Sequence, residues 1–468
     1  MRKLAALLLF ATVLANTSFS ADPPAPLAKL ELQDGDSIVF LGDSITHQRL
    51  YTQYVEDFFY TRMPHVRLKL HNAGVGGARA WDALARFDQD VAAYKPKYVT
   101  ILLGMNDGSY QPFNQAIFDT YQHDMTELLD KLQGIGAQAI PMTPTMFDSR
   151  AARANPKNSR SPDSLSLYNS VLAYYGTWLR EMSYDRGLGF VDMWGPLNTI
   201  TLEQRKTEPA FTLITDAVHP GTNGQVVMAA AIINDLGLPR QVSSINITLP
   251  AKDDAKIQSR AANGKLSDVV RTADGVTFTF AAEALPWVLP ADAQLGVKLT
   301  KMGHRLGKES LEIHGLPPGN YALVIDGAEV GRYNSAALER HVELQENAKT
   351  PQHQQAAQVA ELNKQRNEGP ISKLRSEWSR FQQFARKQRE AEQNSNNVQF
   401  KTELTKLTEQ VAGIEERVAQ HNADAKSLED QIFQINRPVP RRYELKRVEA
   451  AAPQRQPAQR KPAAAATN

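Results

Sequence analysis

Short apolar runs alternate with longer amphipathic stretches from about Leu30 to Pro239. This alternation is typical of βαβ units and predicts an α/β domain over residues 30–239 with a parallel sheet. The pattern predicts five strands, which are Ser37–Leu41, Val66–His71, Tyr98–Leu103, Gln138–Met142 and Gly189–Met193. The predicted helices are Leu50–Arg62, Ala80–Tyr94, Asn114–Gln133, Ser164–Arg186 and a last helix that follows Gly221.

A different pattern begins after Pro239, where turn residues become frequent and short segments alternate in hydrophobicity. We interpret residues 240–350 as a small β-rich accessory module. Asp326-Gly327 lies between two apolar runs and predicts a tight β-hairpin. The other predicted strands are Ile245–Leu249, Val276–Phe280, Ser310–His314 and Tyr321–Ile325.

The pattern becomes helical over residues 351–435, which are rich in Gln, Glu, Lys, Arg and Ala. From Phe400 to Ile435 the apolar positions are spaced by three or four residues, which is a coiled-coil repeat. His421 and Ala425 weaken this seam. Two interpretations stay open: a long helix that lays one stripe on its own β-rich module, or self-association through residues 400–435.

The final segment, residues 436–468, is rich in Pro, Ala, Gln and Arg and carries more basic than acidic residues. Such a composition predicts a disordered tail. The tail either only solubilises the protein or contacts an anionic surface such as lipid headgroups, an acidic polysaccharide or nucleic acid.

The N-terminus has two basic residues, an apolar run from Leu4 to Leu14 and then small residues up to Ala21. This order predicts a secretory signal peptide over residues 1–21 and an exported protein in a bacterial periplasm or outside the cell. No segment is long and apolar enough to span a membrane. The 468 residues include no cysteine and carry a net charge of only +2, which excludes thiol chemistry and a dominant basic field.

Candidate chemistry begins at Ser44, which follows the first predicted strand directly within Gly42-Asp43-Ser44. A lone serine there is explained equally well as a helix cap, since a nucleophile needs a base, an orienting carboxylate and oxyanion donors. Asp216 and His219 are separated by two residues, so that the carboxylate can reach Nδ1 of the imidazole and leave Nε2 free. Two further loops follow the second and third strands and offer backbone or amide donors near Gly77 and Asn106.

Together these four segments resemble the SGNH hydrolase superfamily, the GDSL-type esterases and lipases, over about Leu30 to Leu238. The first block reads Gly-Asp-Ser-Ile rather than Gly-Asp-Ser-Leu. The resemblance implies a three-layer, flavodoxin-like fold. It also implies that Ser44 is the nucleophile, His219 the general base and then acid, and Asp216 its orienting partner. The oxyanion hole would be formed by the backbone N–H groups of Ser44 and Gly77 and the side chain of Asn106, with Gly77 favoured over Gly76 by its spacing from Asn72.

The resemblance implies an exported serine esterase that works through an acyl-enzyme intermediate, without cofactor or metal. The favoured substrates are O-acetylated or short-acyl glycans, and the alternative is a lipid or phospholipid ester. A hypothesis of another class is a scaffold or interaction protein with a weakly active hydrolase domain. Arg79 and Trp81, just beyond the second block, are candidates for the substrate pocket.

Overall fold

A computed structural model of the protein describes residues 24–252, 256–393 and 398–449, with the side chains of 398–401 left out. Its first unit has a four-stranded parallel sheet in the order β2-β1-β3-β4. This confirms the predicted α/β class, and β1, β3 and β4 begin where the sequence places them. The strands are β1 (Ser37–Gly42), β2 (Lys69–Gly74), β3 (Tyr98–Leu102) and β4 (Gln138–Pro141).

The prediction of a fifth strand over Gly189–Met193 is wrong, because this segment contributes only one isolated parallel bridge, from Val191 to Met142. It does run beside β4, and the N–H of Val191 donates to the carbonyl of Pro141. The N–H groups of Gln138 and Met142 donate to the β3 side. Because N–H groups alternate in direction along a strand, an N–H at position 141 would point to the fifth segment instead. Proline has no N–H to donate, and the ladder is interrupted there.

Nine helices surround this sheet among the described residues, and the second has the predicted bounds. The segment predicted as one helix from Ala80 to Tyr94 is split into two helices and a 3-10 turn at Ala92–Tyr94. The split occurs at Arg86, whose buried side chain turns inward to the carbonyl of Ala73. The helices are α1 (Ser44–His47), α2 (Leu50–Arg62), α3 (Ala80–Ala85), α4 (Phe87–Asp90), α5 (Gln115–Gly134), α6 (Ser149–Ala154), α7 (Pro162–Asp185), α8 (Trp194–Arg205) and α9 (Thr222–Asp235).

The β-rich module consists of two sheets around a second apolar core. Its elements are β5 (Gln241–Thr248), β6 (Gln258–Ala262), β7 (Gly264–Thr272), β8 (Gly275–Ala282), α10 (Gln294–Thr300), α11 (Met302–Leu306), β9 (Lys308–His314), β10 (Asn320–Ile325), β11 (Ala328–Asn334), α12 (Ser335–Arg340) and β12 (Val342–Glu343). The predicted hairpin at Asp326-Gly327 is confirmed, and both residues have positive φ angles of 49° and 84°. The smaller sheet has the order β12-β9-β5-β6.

The larger sheet is completed by a strand from the far end of the chain. Its order is β11-β10-β13-β8-β7, where β13 is Arg441–Val448. The prediction of disorder over 436–468 is therefore wrong for this stretch. Tyr443 and Leu445 point into the module's core, while Arg442 and Lys446 on either side of them are exposed, so that charge masks a period-two strand pattern. Residues 450–468 of the predicted tail lie outside the described residues.

The C-terminal helices are α13 (Pro351–Arg366), α14 (Ser372–Gln393), α15 (Val398–Val411) and α16 (Ile414–Ile435), with a π-helical turn at Asn367–Ile371 between the first two. The predicted repeat from Phe400 to Ile435 is not one continuous helix, because the chain breaks at Gly413, whose φ is 66°. The stripe of α16 does not lie on the β-rich module either. Ile432 is buried in the core of the α/β unit, and Phe433 packs edge-on against Tyr60 of α2. Self-association through 400–435 stays a prediction, and the side chain of Phe400 lies outside the described residues.

No helix within the described ranges is long and apolar enough to cross a lipid bilayer. The predicted signal peptide, residues 1–21, lies outside the described residues.

Candidate active site

Ser44 lies where β1 ends, at the first residue of the short helix α1. Asp43 caps this helix, because its Oδ1 accepts a hydrogen bond of 2.9 Å from the N–H of Ile45. The turn is tight: a Cβ added to Gly74 on the neighbouring strand would lie 2.4 Å from the N–H nitrogen of His47. Glycine at this position therefore lets the ends of β1 and β2 approach each other beside Ser44. His47 is the last residue of α1.

Ser44, His219 and Asp216 form a continuous chain of hydrogen bonds. Nε2 of His219 lies 2.8 Å from Oγ of Ser44, and Nδ1 lies 2.7 Å from Oδ2 of Asp216. The other carboxylate oxygen of Asp216 accepts the backbone N–H groups of Val218 and His219. Partial burial acts to raise the pKa of Asp216, but these backbone and imidazole hydrogen bonds outweigh it and lower the pKa, so the carboxylate stays charged.

The second predicted loop lies next to the serine. Asn72 and Gly74 are the last part of β2 rather than a turn, and Oδ1 of Asn72 accepts the N–H of Gly74 while its Nδ2 donates to the carbonyl of Thr46 in α1. Asn72 thus ties the two strand ends together. Gly77 follows in the loop with a φ of 68°, a region that favours glycine.

Asn106 follows β3 and turns its amide toward the same place. Its Nδ2 donates to the carbonyl of Ala78 at 3.1 Å and lies 3.4 Å from Oδ2 of Asp43, while its Oδ1 accepts the hydroxyl of Tyr110. These bonds place the amide next to Asp43, the residue that precedes Ser44. Burial raises the pKa of Asp43 to about 7, and the nearby Asp107 adds to this rise although the N–H of Ile45 opposes it.

A cleft of about 500 Å³ is lined by Gly77 and Asn106, whereas Ser44, Asp216 and His219 do not line it. Arg79 and Trp81, which the sequence predicts for the substrate pocket, both line it. Arg79 is exposed, and the guanidinium of Arg389 lies 4.3 Å from the centroid of the Trp81 ring. Most of the residues that line the cleft have polar or charged side chains. Besides Gly77 and Asn106, the lining includes Asp82, Asp124, Tyr110, Arg386 and Glu390.

One wall of the cleft comes from α14, which sequence reasoning did not assign to the site. Gln382 and Arg386 donate hydrogen bonds to the carbonyls of Gly76 and Gly77. Deeper in the same helix, Arg375 forms a buried ion pair with Asp90 at 2.7 Å. The amphipathic pattern of α14 indicates a helix with one buried face, but it carries no signal for which surface that face covers.

The described residues include no cluster of three or more His, Asp or Glu side chains that could hold a metal ion. The chemistry that this geometry allows is acyl transfer, because a hydroxyl lies next to an imidazole whose far nitrogen is held by a carboxylate.

Comparisons with known proteins agree with this chemistry. The GDSL-like lipase/acylhydrolase family matches residues 40–227. An acetylxylan esterase from Geobacillus stearothermophilus is 24% identical over 229 residues, which are 44% of this chain and 97% of that enzyme. A solved structure of an acetylxylan esterase from that organism covers 45% of this chain and 97% of its own, with 23% identity and a TM-score of 0.36.

A second solved structure matches far more of the molecule. A gut microbial diltiazem-metabolizing enzyme is 25% identical, with a TM-score of 0.74, and the match covers 90% of this chain and 100% of that one. The similarity therefore extends beyond the α/β unit to the β-rich module and the C-terminal helices. The domain that holds Ser44 therefore belongs to the SGNH hydrolase superfamily of GDSL-type esterases and lipases, and its chemistry is ester hydrolysis.

Proposed function

We propose that this protein is an exported serine esterase that removes acetyl or other short acyl groups from the hydroxyls of glycans. Ser44 attacks the ester carbonyl while its proton passes to Nε2 of His219, and Asp216 holds the imidazole and stabilises its charged form. The alcohol leaves with that proton, and a water molecule then releases the acid from the acyl-enzyme by the same route. The oxyanion of each tetrahedral intermediate accepts hydrogen bonds from the N–H groups of Ser44 and Gly77 and from the Asn106 amide.

One observation carries this proposal: the hydrogen-bond chain from Ser44 through His219 to Asp216, with distances of 2.8 and 2.7 Å, at the strand ends beside Gly77 and Asn106. A serine that only caps a helix needs no imidazole on its hydroxyl. A scaffold protein with a weakly active hydrolase domain does not need the serine, the histidine and the aspartate to be within hydrogen-bonding distance of one another.

The character of the cleft supports a sugar ester over a lipid ester. Its lining includes Arg79, Asp82, Asp124 and Arg386. A long acyl chain bound there would displace water from these charged side chains, which is unfavourable. A hydroxyl-rich substrate can replace that water with hydrogen bonds, and Trp81 offers an aromatic face. The relative named as an acetylxylan esterase is consistent with this choice.

The first experiment compares hydrolysis of 4-nitrophenyl acetate by the wild type and by Ser44→Ala. We expect the variant to lose at least about 10³-fold in kcat. A matched control is Ser376→Ala, an exposed serine of α14. Equal rates in the wild type and Ser44→Ala would contradict the proposal.

The second experiment ranks substrates. The set contains acetylated xylooligosaccharides, 4-nitrophenyl esters of two, four and eight carbons, phosphatidylcholine vesicles, and diltiazem, which itself carries an acetate ester. We expect the highest kcat/KM on acetylated oligosaccharides and a decline as the acyl chain lengthens. A preference for the eight-carbon ester or for phospholipid would replace the glycan substrate with the lipid alternative.

Export, self-association and surface contact also belong to this proposal. Export predicts that the protein recovered from its native cells lacks residues 1–21, which the mass of the intact protein measures.

Self-association through 400–435 predicts a concentration-dependent sedimentation coefficient. Contact of 436–468 with anionic surfaces predicts salt-sensitive binding to anionic vesicles, although Arg441–Val448 lie in a sheet.

A further inference from the structure

We propose that Gln382 and Arg386 of α14 are positioning residues of the oxyanion hole, which fix the direction of the Gly77 N–H from behind. This inference rests on the proposed function, because it assigns these residues to the reaction at Ser44. The two side chains are one turn apart on α14 and reach two successive carbonyls of the loop that contains Gly77.

Gln382 acts on the peptide unit that carries the donor. The N–H of Gly77 belongs to the same planar group as the carbonyl of Gly76, and in a trans peptide the N–H and C=O point in opposite directions. Nε2 of Gln382 donates to the Gly76 oxygen at 3.0 Å. The carbonyl is therefore held toward α14, and the Gly77 N–H is turned away from it. A hydrogen bond on the carbonyl also polarises the peptide and strengthens its N–H as a donor.

Arg386 fixes the next peptide unit. Its guanidinium donates to the Gly77 carbonyl at 2.7 Å and to both carboxylate oxygens of Asp82, at 2.6 and 2.7 Å. Asp82 in turn accepts the N–H of Arg79 at 2.8 Å. The peptide before Gly77 is thus held by Gln382 and the peptide after it by the guanidinium of Arg386, which is itself bonded to Asp82 at the start of α3.

The turn that contains Gly76 and Gly77 is closed by one hydrogen bond of its own, from the N–H of Ala78 to the carbonyl of Val75 at 3.2 Å, and this bond does not fix the direction of the central Gly76–Gly77 peptide. A Cβ placed on Gly76 or Gly77 would have no atom within 4 Å, so neither position offers a side chain that could pack and restrain the peptide. Glycines also have the widest choice of backbone angles. Without external bonds, the Gly76–Gly77 peptide is free to rotate, and the donor would have to be oriented again at each tetrahedral intermediate.

The buried Oε1 of Gln382 has no hydrogen-bond partner, which indicates that this side chain supports the Gly77 loop rather than the stability of the fold. Gln382 is 4% exposed. A buried acceptor without a partner destabilises the folded state, and an apolar residue of the same shape would avoid it. The hydrogen bond from Nε2 to the Gly76 carbonyl gives a reason for an amide side chain at this position.

The experiment starts with Gln382→Met, a substitution that keeps the volume and removes the donor. We expect kcat and kcat/KM on 4-nitrophenyl acetate to fall roughly ten-fold together, because the lost interaction acts on the transition state. The thermal unfolding midpoint should stay within about 3 °C of the wild type. The matched control is Gln383→Met, the exposed neighbour on the same helix, which should match the wild type in both measurements.

Arg386 is tested by Arg386→Met and Arg386→Lys. The methionine variant should lose at least as much kcat as Gln382→Met, and the lysine variant should recover part of the loss, because one ammonium can serve Gly77 or Asp82 but not in the same bidentate geometry. Arg380→Met, an arginine of α14 that bonds to Glu377, is the control and should retain wild-type rates.

A readout specific to the oxyanion is the inhibition constant of butylboronic acid. Its boron forms a bond to Oγ of Ser44, the serine proton passes to His219, and one boronate oxygen occupies the oxyanion position. We expect the inhibition constant to rise in Gln382→Met and Arg386→Met by the same factor by which kcat/KM falls. If kcat/KM and boronate inhibition stay at wild-type values in both variants, while Ser44→Ala is inactive, the positioning role is overturned and the esterase proposal stands. If Ser44→Ala is fully active, the esterase proposal itself fails.

Discussion

Two aspartate–histidine pairs lie within the part of the chain that the structure describes, and their surroundings give them different capabilities. Asp216 and His219 are bonded at 2.7 Å, with side chains 54% and 33% exposed, and the imidazole faces the hydroxyl of Ser44. Asp90 and His71 are bonded at 3.0 Å, with side chains 0% and 4% exposed, and His71 is stacked on the ring of Tyr94 at 3.4 Å. The first pair is partly exposed and contacts a hydroxyl, whereas the second pair is buried.

The buried pair is tuned by two arginines. Burial alone would raise the pKa of Asp90, but Arg375, His71 and Arg86 hold it well below its usual range. Burial lowers the pKa of His71 to about 4, and Arg375 contributes to the same shift although Asp90 opposes it. His71 is therefore neutral near pH 7, and its Nε2 is already bonded to Asp90 inside the protein. The comparison teaches that an Asp–His contact acts as acid–base machinery only where a reactant can reach the second nitrogen.

The buried pair nevertheless supports the active site, because Arg86 connects it to the strand ends that precede the catalytic segments. Arg86 donates to Asp90 and also to the carbonyls of Gly42 and Ala73, at the ends of β1 and β2. These carbonyls precede Ser44 and the Gly77 loop. The charge network thus fixes the strand ends from which both functional segments emerge.

The largest expected effect is at the exposed pair. Asp216→Asn should reduce kcat roughly 10³–10⁴-fold, because an amide favours the wrong imidazole tautomer and cannot stabilise its charged form. The free energy of unfolding should change by less than about 1 kcal/mol, since the side chain is largely exposed. Steady-state kinetics and urea unfolding measure the two quantities. A variant that unfolds readily but keeps its kcat would reverse the roles assigned to the two pairs.

The next effect is on stability and comes from Arg375→Met. Arg375 is fully buried and donates to both oxygens of Asp90, so its loss leaves a buried carboxylate with one arginine less. We expect a loss of roughly 3–5 kcal/mol in the free energy of unfolding. Arg380→Met, at a side chain 46% exposed, serves as the control and should cost less than about 1 kcal/mol. A loss no larger than that of the control would mean that α14 is not part of the hydrolase core.

The smallest effect concerns pH. Because the pKa of His71 falls from 6.5 to about 4 on folding, the unfolded chain binds more protons between these values, and stability should decrease as the pH falls from 6.5 to 4. His47 has a similarly lowered pKa and the same window. In His71→Asn the slope should become shallower by up to about 1.4 kcal/mol per pH unit. Urea unfolding at pH 4.5, 5.5 and 6.5 measures it, with exposed His123→Asn as a control that should keep the wild-type slope.

The parts of this molecule that depend on local order were predictable from the sequence. The bounds of α2, the hairpin at Asp326-Gly327 and the α/β class follow from periodicity and turn residues within a few positions of each other. Motif spacing alone predicts Ser44, Gly77, Asn106, Asp216 and His219 as a set; the structure joins Ser44, His219 and Asp216 by hydrogen bonds and places Gly77 and Asn106 in one cleft. Parallel strands deliver their carboxyl ends to one edge, so four separated motifs needed no further information.

The remaining parts depend on which distant surfaces meet. The apolar stripe of α16 was visible, but periodicity does not identify the surface it covers. Gln382, Arg386 and Arg375 look like ordinary polar residues of an amphipathic helix, because their partners lie about three hundred positions away in the chain. The strand β13 has only two buried side chains among basic neighbours, so its composition pointed to disorder.

The position of β13 has a consequence for the order in which the protein can be completed. This strand lies between β8 and β10, with hydrogen bonds to both, yet it is the last element described along the chain. Until synthesis reaches Arg441, the larger sheet consists of two separate hairpins with open inner edges that are able to pair with other chains. A ribosome paused before that point, or a nascent chain cut there, would therefore release a protein with its catalytic sheet complete and its accessory sheet split in two.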